Sequence, residues 1–258
     1  KIEAVMYVAI GGNPGKLGEI SQICQENNLI LILDAAHMAG TRYQGRHVGG
    51  EADCAVFSFH AVKNLPIADG GMICFKEKTR DEAVRKWSWM GINSDTYSRG
   101  GKGNYKWLYD VESLGLKAHG NSIMAAIGLV QLKYLDQDNE LRRKYASLYE
   151  QLLANNSKIK FVKYLADCLP SRHLCQIRVP QELRNDLVIF LNSKNIFPGV
   201  HYRPNTDYRM YQYAQGTCPQ AELAAKELIS LPLHLQLNDD DVARIAQSII
   251  EFFDKNKL

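Results

Sequence analysis

Lys63 lies between two apolar runs in the stretch Ala52–Phe75, ADCAVFSFHAVKNLPIADGGMICF, with Ser58 and His60 shortly before it. A lysine amine can condense with a carbonyl once it has lost a proton that it ordinarily keeps up to about pH 10.4. Asp34 closes an earlier apolar run, Leu29–Leu33, and His37 follows it by three residues. In open α/β sheets the carboxyl ends of the strands form the crevice that takes ligands. A carboxylate there can hold a cation, a ribose hydroxyl or a protonated ring nitrogen. Asp is equally at home in turns and helix caps, and most loop lysines are simply solvated. Residue types alone therefore leave a chemical and a structural account of Asp34 and Lys63 open.

The elements around these residues set where they sit. Cys54–Phe59 and Met72–Phe75 read as short strands, and His60–Asp69, with its proline and polar residues, is too short for a crossover helix. It is predicted to be a loop that holds Lys63 on a rigid frame. Upstream, Ala4–Ile10 reads as a strand, GGNPGK as a turn and Leu17–Asn28 as a helix with Leu17, Ile20, Ile23 and Cys24 on one face. Strand, helix and strand in alternation predict a parallel or mixed α/β sheet. GGNPGK is not a nucleotide P-loop, because Ile10 and Leu17 stand where that motif needs Gly and Ser or Thr.

Further on, Lys76–Met90 is predicted helical and Asn93–Asn104 is loop-like, a lid or a linker, bracketed by Trp87, Trp89 and Trp107 as core or interface anchors. Asn121 is placed to cap one long helix that runs on into a charged stretch. After it come predicted strands at Phe161–Leu165, Leu174–Val179 and Phe197–Tyr202. Helices are predicted at Asn185–Lys194, Pro219–Ile229 and Asp239–Phe253. The expected organisation is thus a large-domain part over 1–120, then a linking helix and a smaller α+β domain over 121–258.

At 258 residues the chain can bury a sizeable core. A net charge of +3, without long blocks of like charge, gives no ground for a nucleic-acid partner. The six cysteines form no C-x-x-C pair and sit mostly in apolar runs, which predicts reduced core thiols. No histidine spacing of the H-E-x-x-H type suggests a metal. No run approaches the ~20 apolar residues that span a bilayer, so no membrane partner and a cytoplasmic location are expected. The chain opens in a strand-like run with Lys rather than Met first, and a missing front portion is expected.

One cofactor uses a strand-end acid, a hydroxyl and a loop lysine together, and that cofactor is pyridoxal 5'-phosphate. The motifs DAAH (34–37), YQGRHVG (43–49), FSFHAVKNL (57–65) and DGGMI (69–73) resemble those of the nucleotide-sugar aminotransferases. These are the DegT/StrS-like branch of the fold-type I pyridoxal-phosphate enzymes. NSIMAAIGLVQL (121–132), FPGVHYRP (197–204) and CPQAELAAKELISLPLH (218–234) are similar to the family's later motifs in the same order. Each motif is weak; their ordered sum is specific and covers essentially the whole chain.

The resemblance implies an aspartate aminotransferase-like large domain plus a small α+β domain, and a homodimer with sites shared across the interface. It makes Lys63 the Schiff-base lysine and Asp34 the partner of the pyridine nitrogen. It puts Ser58 on the phosphate, His37 and His60 beside the cofactor, and His201 and Tyr202 on the substrate side. The implied reaction moves an amino group, from L-glutamate as donor, to a keto sugar carried on a nucleotide. The dehydratase branch of the family has His in place of the lysine, so Lys63 argues against it.

Two departures stand out. Where the family often has GYNYR, this chain has Gly115, Leu116, Lys117, Ala118 and His119. Lys117 keeps a phosphate-binding cation, and Lys117, His119 and the 93–104 loop are the expected interface side. The family's opening portion, with its Ser-Gly-Thr phosphate loop and ring-stacking aromatic, has no counterpart. The alternative is accordingly an incomplete or inactive relative that acts as a binding or regulatory scaffold.

Overall fold

The apolar runs become hydrogen-bonded strands at the expected places. The computed structural model describes residues 1–93 and 109–255. The elements, in order, are β1 (Ala4–Val8), α1 (Leu17–Glu26), β2 (Ile30–Asp34), β3 (Arg42–Tyr43), β4 (Arg46–His47), β5 (Cys54–Ser58) and β6 (Gly71–Phe75). They continue with α2 (Lys78–Ser88), α3 (Ser122–Gln131), α4 (Leu135–Leu153), β7 (Lys160–Phe161), β8 (Cys168–Leu169) and β9 (Cys175–Arg178). The last are α5 (Gln181–Ser193), α6 (Pro219–Glu227), β10 (Leu228–Leu231) and α7 (Asp239–Lys255), with short 3-10 turns at Asn205–Asp207 and Arg209–Ala214.

Two compact units divide the chain. Unit one comprises residues 1–10, 16–39 and 47–135, and unit two comprises 11–15, 40–46 and 136–258. The last division along the chain falls between Leu135 and Asp136.

Unit one is built on a mixed sheet in the order β1-β2-β5-β6, parallel except for the antiparallel β5–β6 pair. Cross-strand partners share a face, so Tyr7, Leu33 and Ala55 point one way and Val8, Asp34, Val56 and Ile73 the other. α1 covers the first face. Its Leu17, Ser21 and Cys24 are buried, Leu33 is fully buried, and the Lys16 N–H donates to the Tyr7 hydroxyl at 3.2 Å. On the second face Met6 is 66% exposed and Val8 49%, with Val56 and Ile73 also exposed. Sheets with parallel strands are normally covered on both sides, whereas these apolar side chains are exposed among the described residues.

Unit two packs α4, α5 and α7 on an antiparallel sheet in the order β10-β9-β7. Tyr149, Leu153, Ile177, Leu187, Leu191, Ile229, Val242 and Ile249 form its core. Two tyrosine hydroxyls at this core are satisfied: that of Tyr149 donates to the Pro232 carbonyl at 3.1 Å and that of Tyr145 donates to the Leu237 carbonyl. β3 pairs antiparallel with β8 in the same unit.

Several expectations are corrected. The long helix from Asn121 is two helices, α3 and α4, interrupted at Leu132–Tyr134. Its cap is as expected, the Met124 N–H donating to the Asn121 side chain at 3.0 Å. The strand at 161–165 shrinks to β7. The run 197–202 forms only an isolated bridge, Gly199 to Ser230, and Pro198 within it lacks the donor a ladder needs. The helix expected over 219–229 stops at Glu227, and Leu228–Leu231 is a strand. Cys24, Cys54 and Cys175 are buried thiols, but Cys74, on edge strand β6, and Cys218, before α6, are exposed. Of the two readings for Trp87, core or interface anchor, its exposure removes the core one. Trp107 and most of the 93–104 loop lie outside the described residues. Among the described residues no helix is long and apolar enough to cross a membrane.

Candidate active site

β5 and β6 run antiparallel from Cys54↔Phe75 to Ser58↔Gly71, and Lys63 sits in the loop between their ends. That loop is tied by backbone hydrogen bonds. Phe59 N–H donates to Gly70 O, Ile67 N–H to Phe59 O, Ala61 N–H to Ala68 O and Lys63 N–H to His60 O, each at 2.9 Å. Asn64, Leu65 and Ile67 are buried, and Leu65 packs with Ala39, Leu135 and Phe59. The ladder also demands glycine at 71, since a Cβ there would stand 2.5 Å from the Phe57 carbonyl oxygen. Lys63 thus has a fixed backbone beneath a flexible side chain.

Asp34 ends β2 in register with Val8 and Val56, at the carboxyl ends of the parallel strands. Its Oδ1 accepts from the Ala36 N–H at 3.0 Å, so the turn role open to any strand-end Asp is partly real here. Among the described residues Oδ2 carries no hydrogen bond. Asp34 and Lys63 feel one another: burial pushes the Lys63 amine below its usual proton affinity, and the charge of Asp34 pulls it partly back. Lys63 is half-buried, and its Nζ has no hydrogen-bond partner among the described residues.

Ser58 ends β5. Its Oγ accepts from the His60 N–H at 3.3 Å, which leaves the hydroxyl proton to be given elsewhere, and His60 Nδ1 accepts from the Val62 N–H at 3.3 Å. His37 is buried in the turn that follows Asp34. The structure thus brings Asp34 and Lys63 within electrostatic reach of each other, with Ser58 and His60 next to the lysine loop. Lys117 belongs to a different cluster in unit one. It bridges Trp89 in an irregular strand pairing, its Nζ lies 6.0 Å from the Trp89 ring centroid, and His119 meets that ring edge-on at 4.1 Å. A hollow of about 390 Å³ beside this cluster is lined by Val84, Trp87 and Leu116 among others, and its lining among the described residues is not ionisable.

His201 and Tyr202 are in unit two, where their rings meet edge-to-face at 4.9 Å. His201 is held by Ser230 and Gln176. Sequence reasoning missed both of these partners, because they lie 29 and 25 residues from His201 and no local pattern marks them.

Residues 1–250 match the DegT/DnrJ/EryC1/StrS aminotransferase family. The chain belongs to that family. It is therefore a transferase, of a pyridoxal-phosphate-dependent group of sugar aminotransferases. It is 28% identical to the UDP-4-amino-4,6-dideoxy-N-acetyl-beta-L-altrosamine transaminase of Helicobacter pylori (strain ATCC 700392 / 26695), over all of this chain and 68% of that protein. Among solved structures it resembles the aminotransferase TlmJ from Streptoalloteichus hindustanus, with a TM-score of 0.90 at 28% identity over 99% of this chain and 67% of that one. It also resembles Spr1654 from Streptococcus pneumoniae in its PMP-form, with a TM-score of 0.89 at 26% identity over 98% of this chain and 70% of that one. Spr1654 has been solved in its PLP-form too. The chain spans about two thirds of the length of these relatives. The expected fold, a fold-type I large domain part with a mixed sheet and a smaller α+β domain, is the fold of these neighbours.

The donor set suits the family's cofactor. A carboxylate oxygen without a hydrogen bond can accept from a protonated ring nitrogen, a desolvated amine can attack an aldehyde, and a hydroxyl proton can be given to a phosphate.

Proposed function

We propose that this chain carries the lysine of an aminotransferase that takes an amino group from L-glutamate and delivers it to a keto sugar on a nucleotide. The observation that supports it most is the Lys63 amine, partly desolvated, without a hydrogen bond among the described residues and within reach of the charge of Asp34, in a chain of this family. The nucleotide-sugar part of the proposal draws on the name of the Helicobacter pylori relative.

Each residue then has a defined task. Lys63 would hold the cofactor and, when released, act as the base that moves a proton between reacting carbon atoms. It can do so only as a neutral amine, and its burial favours that form. Asp34 would keep a positive charge on the ring nitrogen through its Oδ2. Ser58 would donate to the phosphate, and His37 and His60 would border the ring from the turn after Asp34 and from the lysine loop. When bound, pyridoxal phosphate supplies the electron-withdrawing ring that makes a carbon-bound proton removable. Lys117 would add a cation for the phosphate of a partner subunit's site in a homodimer, and His201 and Tyr202 would meet the sugar nucleotide.

The test is glutamate-dependent amination of a nucleotide-linked keto sugar, followed by mass spectrometry. Activity that vanishes in Lys63→Ala supports the proposal. Undiminished turnover by that variant would refute the role of Lys63.

A further inference from the structure

Ile67 lies on the returning limb of the lysine loop, and its side chain stands between two glycines. A Cβ on Gly70 would be 3.0 Å from Ile67 Cδ1, and one on Gly128 of α3 would be 3.1 Å from Ile67 Cγ2. The residue is only 9% exposed. Its N–H donates to the Phe59 carbonyl at 2.9 Å, and the carbonyl of the next residue, Ala68, accepts from the Ala61 N–H at 2.9 Å. A push on Ile67 thus passes through two hydrogen bonds into the limb that rises to Lys63, whose own N–H is bound to His60.

The other partner, α3, is apolar almost all round in SIMAAIGLVQ. None of its residues is fully buried, and only Met124, Gly128 and Gln131 are partly so. Spaced by four and three, these form one stripe. Ile123 and Leu129, off that stripe, are 75% and 68% exposed. Gly128 therefore sits where α3 meets the lysine loop. Glycine in the middle of a helix costs stability relative to alanine, so helix formation gives no reason for it. The approach of Ile67 does: a methyl group at 128 would require Ile67 to yield, and its Cδ1 already rests on Gly70.

We propose that Gly128 and Ile67 are positioning residues for Lys63, α3 bearing on the lysine loop through this contact and so setting how deeply the amine is held at the strand ends. The consequence for amino transfer rests on Lys63 being the cofactor lysine. The packing itself does not. Burial is the larger influence on the amine and lowers its proton affinity, with the charge of Asp34 opposing it. A loosened loop returns the amine to water, and its proton affinity then rises.

The test is the pH midpoint of Lys63 acylation, read by peptide mass mapping on the full 258-residue chain with no pyridoxal phosphate added. Gly128→Ala should move that midpoint upward, roughly halfway to that of exposed lysines such as Lys16. Ile67→Val, which removes the methyl group resting on Gly70, should move it the same way and less. In the double variant the added methyl group takes up the room left by the lost one, and the midpoint should return to the wild-type value. Leu129→Ala, on the exposed side of α3, should leave it unchanged. An unchanged midpoint in Gly128→Ala, an equal shift in Leu129→Ala, or a double variant showing the sum of the single shifts, as independent sites do, would overturn the positioning role. Should Gly128→Ala not fold, Ile67→Val decides alone, and a wild-type midpoint there overturns the proposal. The assay reads the bare amine, so its failure is distinct from a borohydride-trapped cofactor mark on another lysine, which would remove Lys63 from cofactor binding and leave the contact of α3 with the loop standing.

Discussion

The carboxylate of Asp34 acts on the amine of Lys63, restoring part of the proton affinity that burial takes away. Asp34 ends β2 and Lys63 lies in the loop after β5, 29 positions further on, yet the parallel pairing of β2 with β5 puts the end of β2 and the lysine loop at one end of the sheet. A nucleophile with a lowered proton affinity facing an acid is the arrangement that amine chemistry near neutral pH requires.

From this relationship follows a pH signature. Acylation by an amine reagent should modify Lys63 at lower pH than the exposed lysines. Asp34→Asn, by removing the charge that favours the protonated form, should lower its midpoint further. A midpoint that rises in that variant would contradict the pairing. Between the lowered value and about 10.4 the unfolded chain binds more protons at this position than the folded one, so the contribution of Lys63 to stability rises with pH there. Lys63→Met should flatten the pH dependence of the unfolding free energy in that alkaline window.

Gly71 tests the frame of the loop. Gly71→Ala would force a methyl group against the Phe57 carbonyl and should cost about 1–3 kcal/mol in urea unfolding, as overpacking does. Gly50→Ala, where nothing lies within 4 Å, should stay within roughly 0.5 kcal/mol of wild type. Equal effects at the two positions would count against the β5–β6 geometry.

The thiols should divide by environment. Cys74 and Cys218 are exposed and should react quickly with a disulfide reagent. Burial pushes the Cys168 thiol up to about 11 and that of Cys175 to about 12. Cys175 should therefore react only on unfolding. Rapid modification of Cys175 in native protein would contradict the packing of β9.

The second face of the unit one sheet is apolar and exposed among the described residues. A hydrophobic fluorescent dye should bind the native chain at Met6, Val8, Val56 and Ile73, and Val8→Lys should weaken that binding while changing stability by less than about 0.5 kcal/mol. Leu33→Ala, on the face that α1 covers, should cost about 2–5 kcal/mol. Comparable losses from the two variants would show that both faces are covered.

Much of unit one was legible because its signals are local. Apolar runs bounded by turn residues gave β2, β5 and β6, and the short, proline-bearing link placed Lys63 in a loop. What escaped depends on distant partners. The break between α3 and α4 has no Gly or Pro at Leu132–Tyr134 to announce it. β10 hid behind α6, because Leu228 and Ile229 continue an apolar helical face until pairing with β9 makes them a strand. Ser230 and Gln176 became visible as partners of His201 only through that same pairing. The exposed face of the unit one sheet was equally unreadable, since an apolar strand looks the same whether or not a layer covers it.

The most direct test of the account is borohydride reduction of the protein after incubation with pyridoxal phosphate, followed by proteolysis and mass mapping. The account predicts a single stable pyridoxyl mark, on the peptide that carries Lys63, and its loss in Lys63→Ala. A mark on another lysine, or marks spread evenly over exposed lysines such as Lys16 and Lys117, would contradict it.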